Sequence, residues 1–198
     1  MLMCIYYFSV CGQLLERKSP LDSTVISTDK LRKELVELCR LQGKSLKLLY
    51  RASRDGFAAS SFHAKCDGQT KTLTVVQAAK SGYVFGGYAE MAWDSSGYSK
   101  TDPRAFLFSL TNGHGASQLM PVRSSGEMAL FCDKSYGPSF GDDDLTISNE
   151  SNVSSKTYSN LGVSYDLRMF EQGTTAAEAF LAGEQRFKTS EIEVFSVC

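Results

Sequence analysis

The sequence predicts a mostly β (α+β) fold, a two-sheet antiparallel β-sandwich flanked by a few helices. The first observation is the number of short segments rich in β-branched and aromatic residues, which glycine-containing turns separate. The second is that helical periodicity occurs in only a few stretches of the chain. The third is the lack of an internal repeat of the kind that builds propellers or solenoids. Strands stacked in two layers, with helices at their ends and edges, satisfy all three observations.

The clearest helix is predicted over residues 27–43, STDKLRKELVELCRLQG. Its apolar residues recur at helical spacing and share one face, with charged residues opposite. Ser27 or Thr28 can cap its start, and Gly43 can end it. Two shorter helices are predicted, over residues 57–66 and 174–183.

The strands are predicted from β-rich runs that turn residues separate. They cover residues 45–50, 72–79, 83–91, 105–111, 128–132, 144–148, 163–167 and 191–197. Gly86 and Gly87 lie inside one of these runs, which predicts either a bulge or a close backbone approach. A phosphate-binding loop is not expected there, because the glycine spacing of the known phosphate motifs is missing.

One domain is expected over residues 28–198, preceded by an N-terminal segment, residues 1–27, of unassigned role. The apolar run in residues 1–10, MLMCIYYFSV, is too short to span a bilayer. A signal peptide would need a basic start and a small-residue cleavage site, which this run lacks. A buried first strand, or a misplaced gene start, explains it better.

Composition excludes several classes of function. The net charge is −1, from 21 basic and 22 acidic residues, which argues against binding nucleic acid through its phosphates. The chain also has no run of like charges that could form a polybasic membrane patch. Six cysteines without a C-x-x-C spacing indicate free thiols in a reducing compartment.

His63 and Cys66 are the candidate catalytic residues. They are three residues apart on a predicted helix, so they are near neighbours and could form a thiolate nucleophile with its base. Such a site would also need an orienting group and an oxyanion hole, and the sequence gives no sign of either. Because Cys66 shares a helix face with Phe62, a small buried residue is the more ordinary interpretation.

The charges around this pair favour a structural role. Asp55 stands where a cap is needed before the helix over residues 57–66. Arg51 or Arg54 can pair with Asp55 or with a carboxylate of the GDDD turn, residues 141–144. A partly buried pair of this kind would fix how the helix docks on the sheet, so we expect these residues to form a charged brace.

No metal site is expected. The residues with zinc-ligand chemistry do not occur in close pairs, as structural zinc sites usually require; they are His63, Cys66, His114 and Cys132. In the GDDD turn, Asp142 and Asp143 are adjacent, whereas calcium loops place their ligands at alternate positions. We expect a turn in which one carboxylate caps or bridges, although a weak cation site is the alternative.

Five segments, in this order, resemble the TLDc domain, and they span residues 46–197. They are KLLYRASRDGFAASSFHAKCDG, TLTVVQAAKSGYVFGGYAEMAW, AFLFSLTN, GPSFGDDDLTI and FLAGEQRFKTSEIEVFSV. The resemblance implies a two-sheet sandwich flanked by helices, with neither a catalytic mechanism nor a cofactor. It also implies that the RASRDG and FGGY segments, with the GDDD turn, are framework or binding surface. The chain departs from the oxidation-resistance branch at Phe195, where that branch has tryptophan.

The resemblance implies a non-enzymatic interaction domain. Its expected partner is a protein, namely subunits of the vacuolar-type proton-pumping ATPase (V-ATPase), with a contribution to oxidative-stress resistance. The expected location is the cytoplasm, at endolysosomal membranes where the domain is bound to that partner. Two alternatives stay open: a thiol-dependent enzyme using Cys66 with His63, and a protein oxidised sacrificially at Cys198 or Cys11.

Overall fold

The structure is a computed structural model that describes residues 21–123 and 126–198. Its helices are α1 (Asp29–Leu38), α2 (Ala52–Asp55), α3 (Ala59–Cys66) and α4 (Thr175–Ala179). Its strands are β1 (Leu46–Arg51), β2 (Thr72–Ala78), β3 (Val84–Ala89), β4 (Tyr98–Lys100), β5 (Phe106–Ser109), β6 (Gln118–Pro121), β7 (Leu130–Cys132), β8 (Ser139–Phe140), β9 (Thr157–Tyr158), β10 (Arg186–Phe187) and β11 (Thr189–Val197). The strand predicted over residues 1–10 lies outside the described residues.

The prediction of a mostly β, antiparallel fold is confirmed. A six-stranded antiparallel sheet has the strand order β1-β11-β2-β3-β5-β6. The longest strand, β11, is nearly the last segment of the chain and lies between β1 and β2. The sheet is therefore completed only when the C-terminal strand inserts beside the strands formed by residues 46–78.

A second layer packs on one face of this sheet. It contains the three-stranded sheet β4-β7-β8 and the two-stranded ribbon β10-β9. Phe140 of β8 packs against Trp93, with ring centroids 5.3 Å apart, and covers Gly87 of the large sheet. The core between the layers also includes Phe62 and Cys66 of α3. The arrangement is sandwich-like.

The opposite face of the large sheet is covered by α1 and by the residues that precede it. Val25, Ile26 and Leu35 are buried there against Leu73 of β2 and Phe195 of β11. The packed unit therefore includes residues that lie before residue 28. Within the two described ranges, every helix falls short of the length and apolarity that crossing a membrane requires.

Helix α1 begins as predicted and ends earlier. The Thr28 hydroxyl accepts a hydrogen bond from the Leu31 amide at 3.2 Å, which identifies Thr28 as the N-cap. The helix ends at Leu38 rather than near Gly43, because Arg40 adopts a left-handed conformation (φ 54°). The Leu41 amide then donates to the Val36 carbonyl at 2.9 Å, which closes the helix end.

Two predicted strands are wrong in the second layer. Over residues 144–148 and 163–167 the structure has isolated bridges in place of strands. Leu145 and Ile147 are buried as the alternating pattern requires. However, the backbone of residues 145–147 bonds to three separate segments, Phe140, Tyr158 and Gly137, so no continuous ladder forms.

The glycine pair of β3 marks a close approach of packed elements. The pairing of β3 with β2 has no register shift at this point, so the pair is not a bulge. A Cβ atom at Gly87 would lie 2.7 Å from the Phe140 ring, and one at Gly86 would lie 1.9 Å from the Thr74 carbonyl oxygen. The second layer reaches its packing distance over Gly87 because no side chain stands there.

We predict that Gly87→Ala lowers the free energy of unfolding by about 1–3 kcal/mol, because the added methyl group displaces the Phe140 ring. Chemical denaturation measures this change. Gly113→Ala is the matched control, since its Cβ would meet only the end of the Tyr83 side chain, with the hydroxyl at 3.0 Å. Equal stability of the two variants would contradict the close approach.

Candidate functional site

The charged cluster around Arg51 is built on a cross-strand pair. Arg51 of β1 lies directly opposite Glu193 of β11 in the sheet register. Arg51 Nε donates to Glu193 Oε1 at 2.8 Å, and Nη2 donates to Asp22 Oδ1 at 2.8 Å and to the Asp22 carbonyl oxygen at 2.9 Å. The Arg51 side chain is only 13% exposed and that of Glu193 is fully buried. The guanidinium thus joins two strands and the segment before α1.

Glu193 is a buried carboxylate whose oxygens are all engaged. Besides Arg51, its side chain accepts hydrogen bonds from the Thr24 amide at 2.8 Å, the Thr24 hydroxyl at 3.1 Å and the Ser23 hydroxyl. A buried charge is tolerated when it is paired and hydrogen-bonded in this way. The same carboxylate therefore holds residues 22–24 on the sheet.

Arg54 and Asp55 form the ion pair that the sequence suggested as one alternative. Arg54 Nη2 lies 2.8 Å from Asp55 Oδ2, and Arg54 Nε lies 3.0 Å from Asp55 Oδ1. The hydrogen bonds from Arg54 hold the pKa of Asp55 below its usual value. The ion pairs of Arg51 and Arg54 are thus made with Asp22, Glu193 and Asp55, and not with the GDDD turn.

The prediction that Asp55 caps the helix over residues 57–66, which is α3, is wrong. Asp55 is the last residue of α2, and its Oδ2 accepts from the Arg51 amide at 3.0 Å. The N-cap of α3 is Ala58, and the amide of Ala59 donates to Asn149 Oδ1 at 2.8 Å. Asn149, which is 90 positions from Ala59 in the chain, therefore accepts the hydrogen bond that was predicted for Asp55.

His63 fastens α3 to a loop of the second layer. Its ring Nε2 lies 3.0 Å from the carbonyl oxygens of both Asp133 and Tyr136, which can only accept, so this nitrogen donates a proton. Its Nδ1 lies 2.7 Å from Asp67 Oδ1. The ring is 8% exposed. Both ring nitrogens are therefore committed to oxygen atoms, and neither is directed to the Cys66 thiol.

Cys66 is a core residue. It is fully buried in the same cluster as Phe62 and Tyr50. Burial raises the pKa of its thiol to about 12, with smaller contributions from the nearby carboxylates of Asp67 and Asp55. A thiol of this kind is overwhelmingly protonated at neutral pH, and only the thiolate is an effective nucleophile.

The GDDD turn holds one buried carboxylate, that of Asp144. It accepts hydrogen bonds from the four successive amides of residues 162–165, at 2.7 to 3.3 Å. Burial raises the pKa of Asp144 to about 6, against the opposite effect of these amides. Gly141 has φ 74°, and a Cβ there would lie 2.2 Å from Asp144 Oδ2. Asp144 therefore needs a glycine at position 141.

The two acidic residues named from the sequence at this turn, Asp142 and Asp143, are exposed. Asp143 has a left-handed backbone (φ 79°) and accepts a hydrogen bond from the Tyr158 hydroxyl.

In the described part of the chain, no three His, Cys, Asp or Glu side chains come together in a way that could hold a metal ion. His114 packs against the rings of Phe170 and Phe180.

A groove that the sequence did not indicate lies between α1 and β1. It has a volume of about 730 Å³. Its apolar lining comes from Leu21, Val36, Leu41, Leu46 and Leu48, and its basic residues are Arg32, Lys44 and Lys47. It forms only when the helix and the strand edge come together, so no local motif marks it.

The family model for the TLDc domain matches residues 21–198. The chain belongs to the TLDc domain family. No curated protein matches it. The match begins at the residues that contact Glu193, so the TLDc domain of this chain includes the segment that the Arg51 cluster holds in place.

We predict that Arg51→Ala destabilises this TLDc domain by about 3–5 kcal/mol, because it leaves the Glu193 carboxylate buried without its cation. Denaturant unfolding measures the loss. Arg54→Ala is the matched control: its side chain is 46% exposed, so a much smaller loss is expected. Adding Glu193→Gln to Arg51→Ala should recover part of the stability. Equal losses from the two arginine variants would contradict the brace.

We predict that iodoacetamide labels the exposed Cys198 rapidly in the native protein, whereas Cys66 and Cys39 react only after denaturation. Burial raises the pKa of both buried thiols to about 12, so their thiolate fraction in the native protein stays negligible between pH 7 and 9. Mass spectrometry of the labelled peptides gives each rate. Fast labelling of Cys66 at pH 7 would instead support the thiol enzyme.

Proposed function

We propose that this TLDc domain is a non-enzymatic protein-interaction domain that binds V-ATPase subunits and contributes to oxidative-stress resistance. TLDc domains are protein-interaction modules. The observation that carries the proposal is that the polar groups of the candidate catalytic cluster are all engaged in ion pairs, hydrogen bonds or core packing within the domain. Arg51 is paired with Glu193 and Asp22, His63 with three oxygen atoms, and Cys66 is buried.

The distribution of exposed groups supports binding to a protein rather than catalysis. Several large apolar side chains are exposed, among them Tyr98, which is 74% exposed, and Val153, which is 64% exposed. Aromatic residues and methionine are enriched at protein interfaces relative to the rest of the protein surface. The open groove between α1 and β1 adds an apolar surface with basic residues around it.

The oxidative-stress role follows from the proposed partner. In this proposal the domain acts in the cytoplasm, at endolysosomal membranes where the pump resides, and needs no cofactor. A contribution to stress resistance then comes from effects on the pump. A thiol reaction at Cys39, Cys66 or Cys132 is disfavoured, because all three are buried and burial raises the pKa of each thiol.

We predict that the immobilised chain captures purified V-ATPase subunits several-fold above empty resin, as measured by immunoblot. The comparison variant replaces the exposed apolar side chains with serine at Met91, Tyr98, Met128, Val153 and Met169. Circular dichroism checks that it stays folded. Capture that falls in this variant assigns the contact to these side chains. The lack of capture by the native chain would reject the V-ATPase partner.

A further inference from the structure

The groove between α1 and β1 has an apolar floor that the fold leaves partly uncovered. Leu21, Val36, Leu46 and Leu48 are half-buried and pack on the core beneath α1. They line a space of about 730 Å³, which lies in the range of protein sites that hold a ligand. The remaining exposed faces of these side chains can be buried by an additional element.

The floor of the groove adjoins an open sheet edge. Among the described strands, β1 pairs only with β11 and is the first strand of the sheet. Ser45 exchanges both backbone hydrogen bonds with Cys198, at 3.0 Å each. Because antiparallel pairs alternate, the N–H and C=O groups of Leu46 and Leu48 point away from β11. Within residues 21–123 and 126–198 no hydrogen bond reaches them. An unpaired edge of this kind is a template for another strand.

The charge of the groove is positive and unbalanced. Arg32 and Lys44 line it, Lys47 borders it from the opposite face of β1, and the carboxylate of Asp22 is already bound by Arg51. The Nε of Arg32 is buried and has no hydrogen-bond partner in the described structure. Because Nε itself is out of reach of solvent, a ligand can pair with this cation only through the part of the half-buried Arg32 side chain that lines the groove. The positive charge there favours a ligand that brings an acceptor.

The open edge of β1 and the positive charge of the groove distinguish between the possible occupants. Residues 1–20 of this chain carry one carboxylate, Glu16, followed by Arg17 and Lys18, so they bring net positive charge to a positive groove. An anionic lipid headgroup can pair with Arg32 but has no backbone to bond with the edge of β1. An extended peptide with carboxylates can do both.

We propose that the groove binds an extended, acidic segment of a partner protein, which adds to the edge of β1 as a further strand. This inference rests on the proposed interaction function. Apolar side chains of the segment, two residues apart, lie over Leu46 and Leu48, and a carboxylate at one end accepts from Arg32. Carboxylates at the alternate positions face Lys47 on the other side of the sheet.

The probe is a labelled peptide, Val-Glu-Val-Glu-Val-Glu-Val, titrated into the full chain and followed by fluorescence anisotropy. Its free C-terminal carboxylate is the end group that pairs with Arg32, because the glutamates lie on the opposite face from the valines. Amide hydrogen exchange supplies the geometric readout. The Leu46 and Leu48 amides should exchange at least tenfold more slowly with the peptide bound. The Lys47 amide, which already faces β11, should change little. Anisotropy changes without slower exchange at Leu46 and Leu48 would overturn the edge-strand geometry.

Charge-specific variants complete the test. Arg32→Met keeps the apolar stem and should weaken peptide binding at least tenfold. Lys33→Met, on the same helix, should leave it unchanged, because Lys33 is 78% exposed and pairs with Glu37. A peptide with lysine in place of glutamate should not bind. Equal binding by the two variants contradicts the role of Arg32.

Competing occupants give distinct results. Binding of a peptide of residues 1–20 with higher affinity than the acidic peptide would overturn the proposal, as would binding of phosphatidylserine vesicles without binding of the peptide. Capture of V-ATPase subunits with no peptide binding rejects the groove and leaves the proposed function standing. Peptide binding without pump capture rejects the pump partner and supports the groove.

Discussion

The burial of the Glu193 carboxylate is the constraint on which the rest of the structure depends. This side chain is fully buried on β11, the second strand of the six-stranded sheet, so it requires a cation and several donors. Arg51 of the neighbouring strand provides the cation, and residues 23–24 provide the donors. One buried charge therefore fixes the pairing of β1 with β11 and the path of the chain before α1. The cluster is therefore a structural brace between β1, β11 and the segment before α1.

The brace also accounts for the groove. By binding Asp22 and holding residues 23–24 on the sheet, it places the chain beside β1 and determines where α1 begins. It uses the acidic residue of the groove internally, and among the described residues no acceptor reaches the Nε of Arg32. The positive groove is thus a consequence of satisfying a buried negative charge nearby.

Buried carboxylates organise the irregular segments as well. The Glu191 side chain accepts from the Ser53 amide at 3.0 Å and so holds the start of α2 on β11. Asp144 collects four amides of the loop at residues 162–165 in the second layer. In these segments side-chain carboxylates accept the backbone amide hydrogen bonds that a neighbouring strand would otherwise accept. This explains why buried, alternating segments of the second layer are not strands.

The sequence by itself determined the features that arise from local periodicity. The amphipathic pattern of α1, the β-rich runs of the large sheet and the ordered TLDc segments depend on neighbours in the chain, so they were predictable. The partners of the charges were not. Arg51 pairs with Glu193, which is 142 positions away in the chain. At the start of α3, the Ala59 amide donates to Asn149 and not to Asp55. Only the tertiary structure decided them, because a buried charge is satisfied by whichever group packing brings within hydrogen-bond distance. The groove likewise exists only between elements, at the edge of β1 that the described strands leave unpaired.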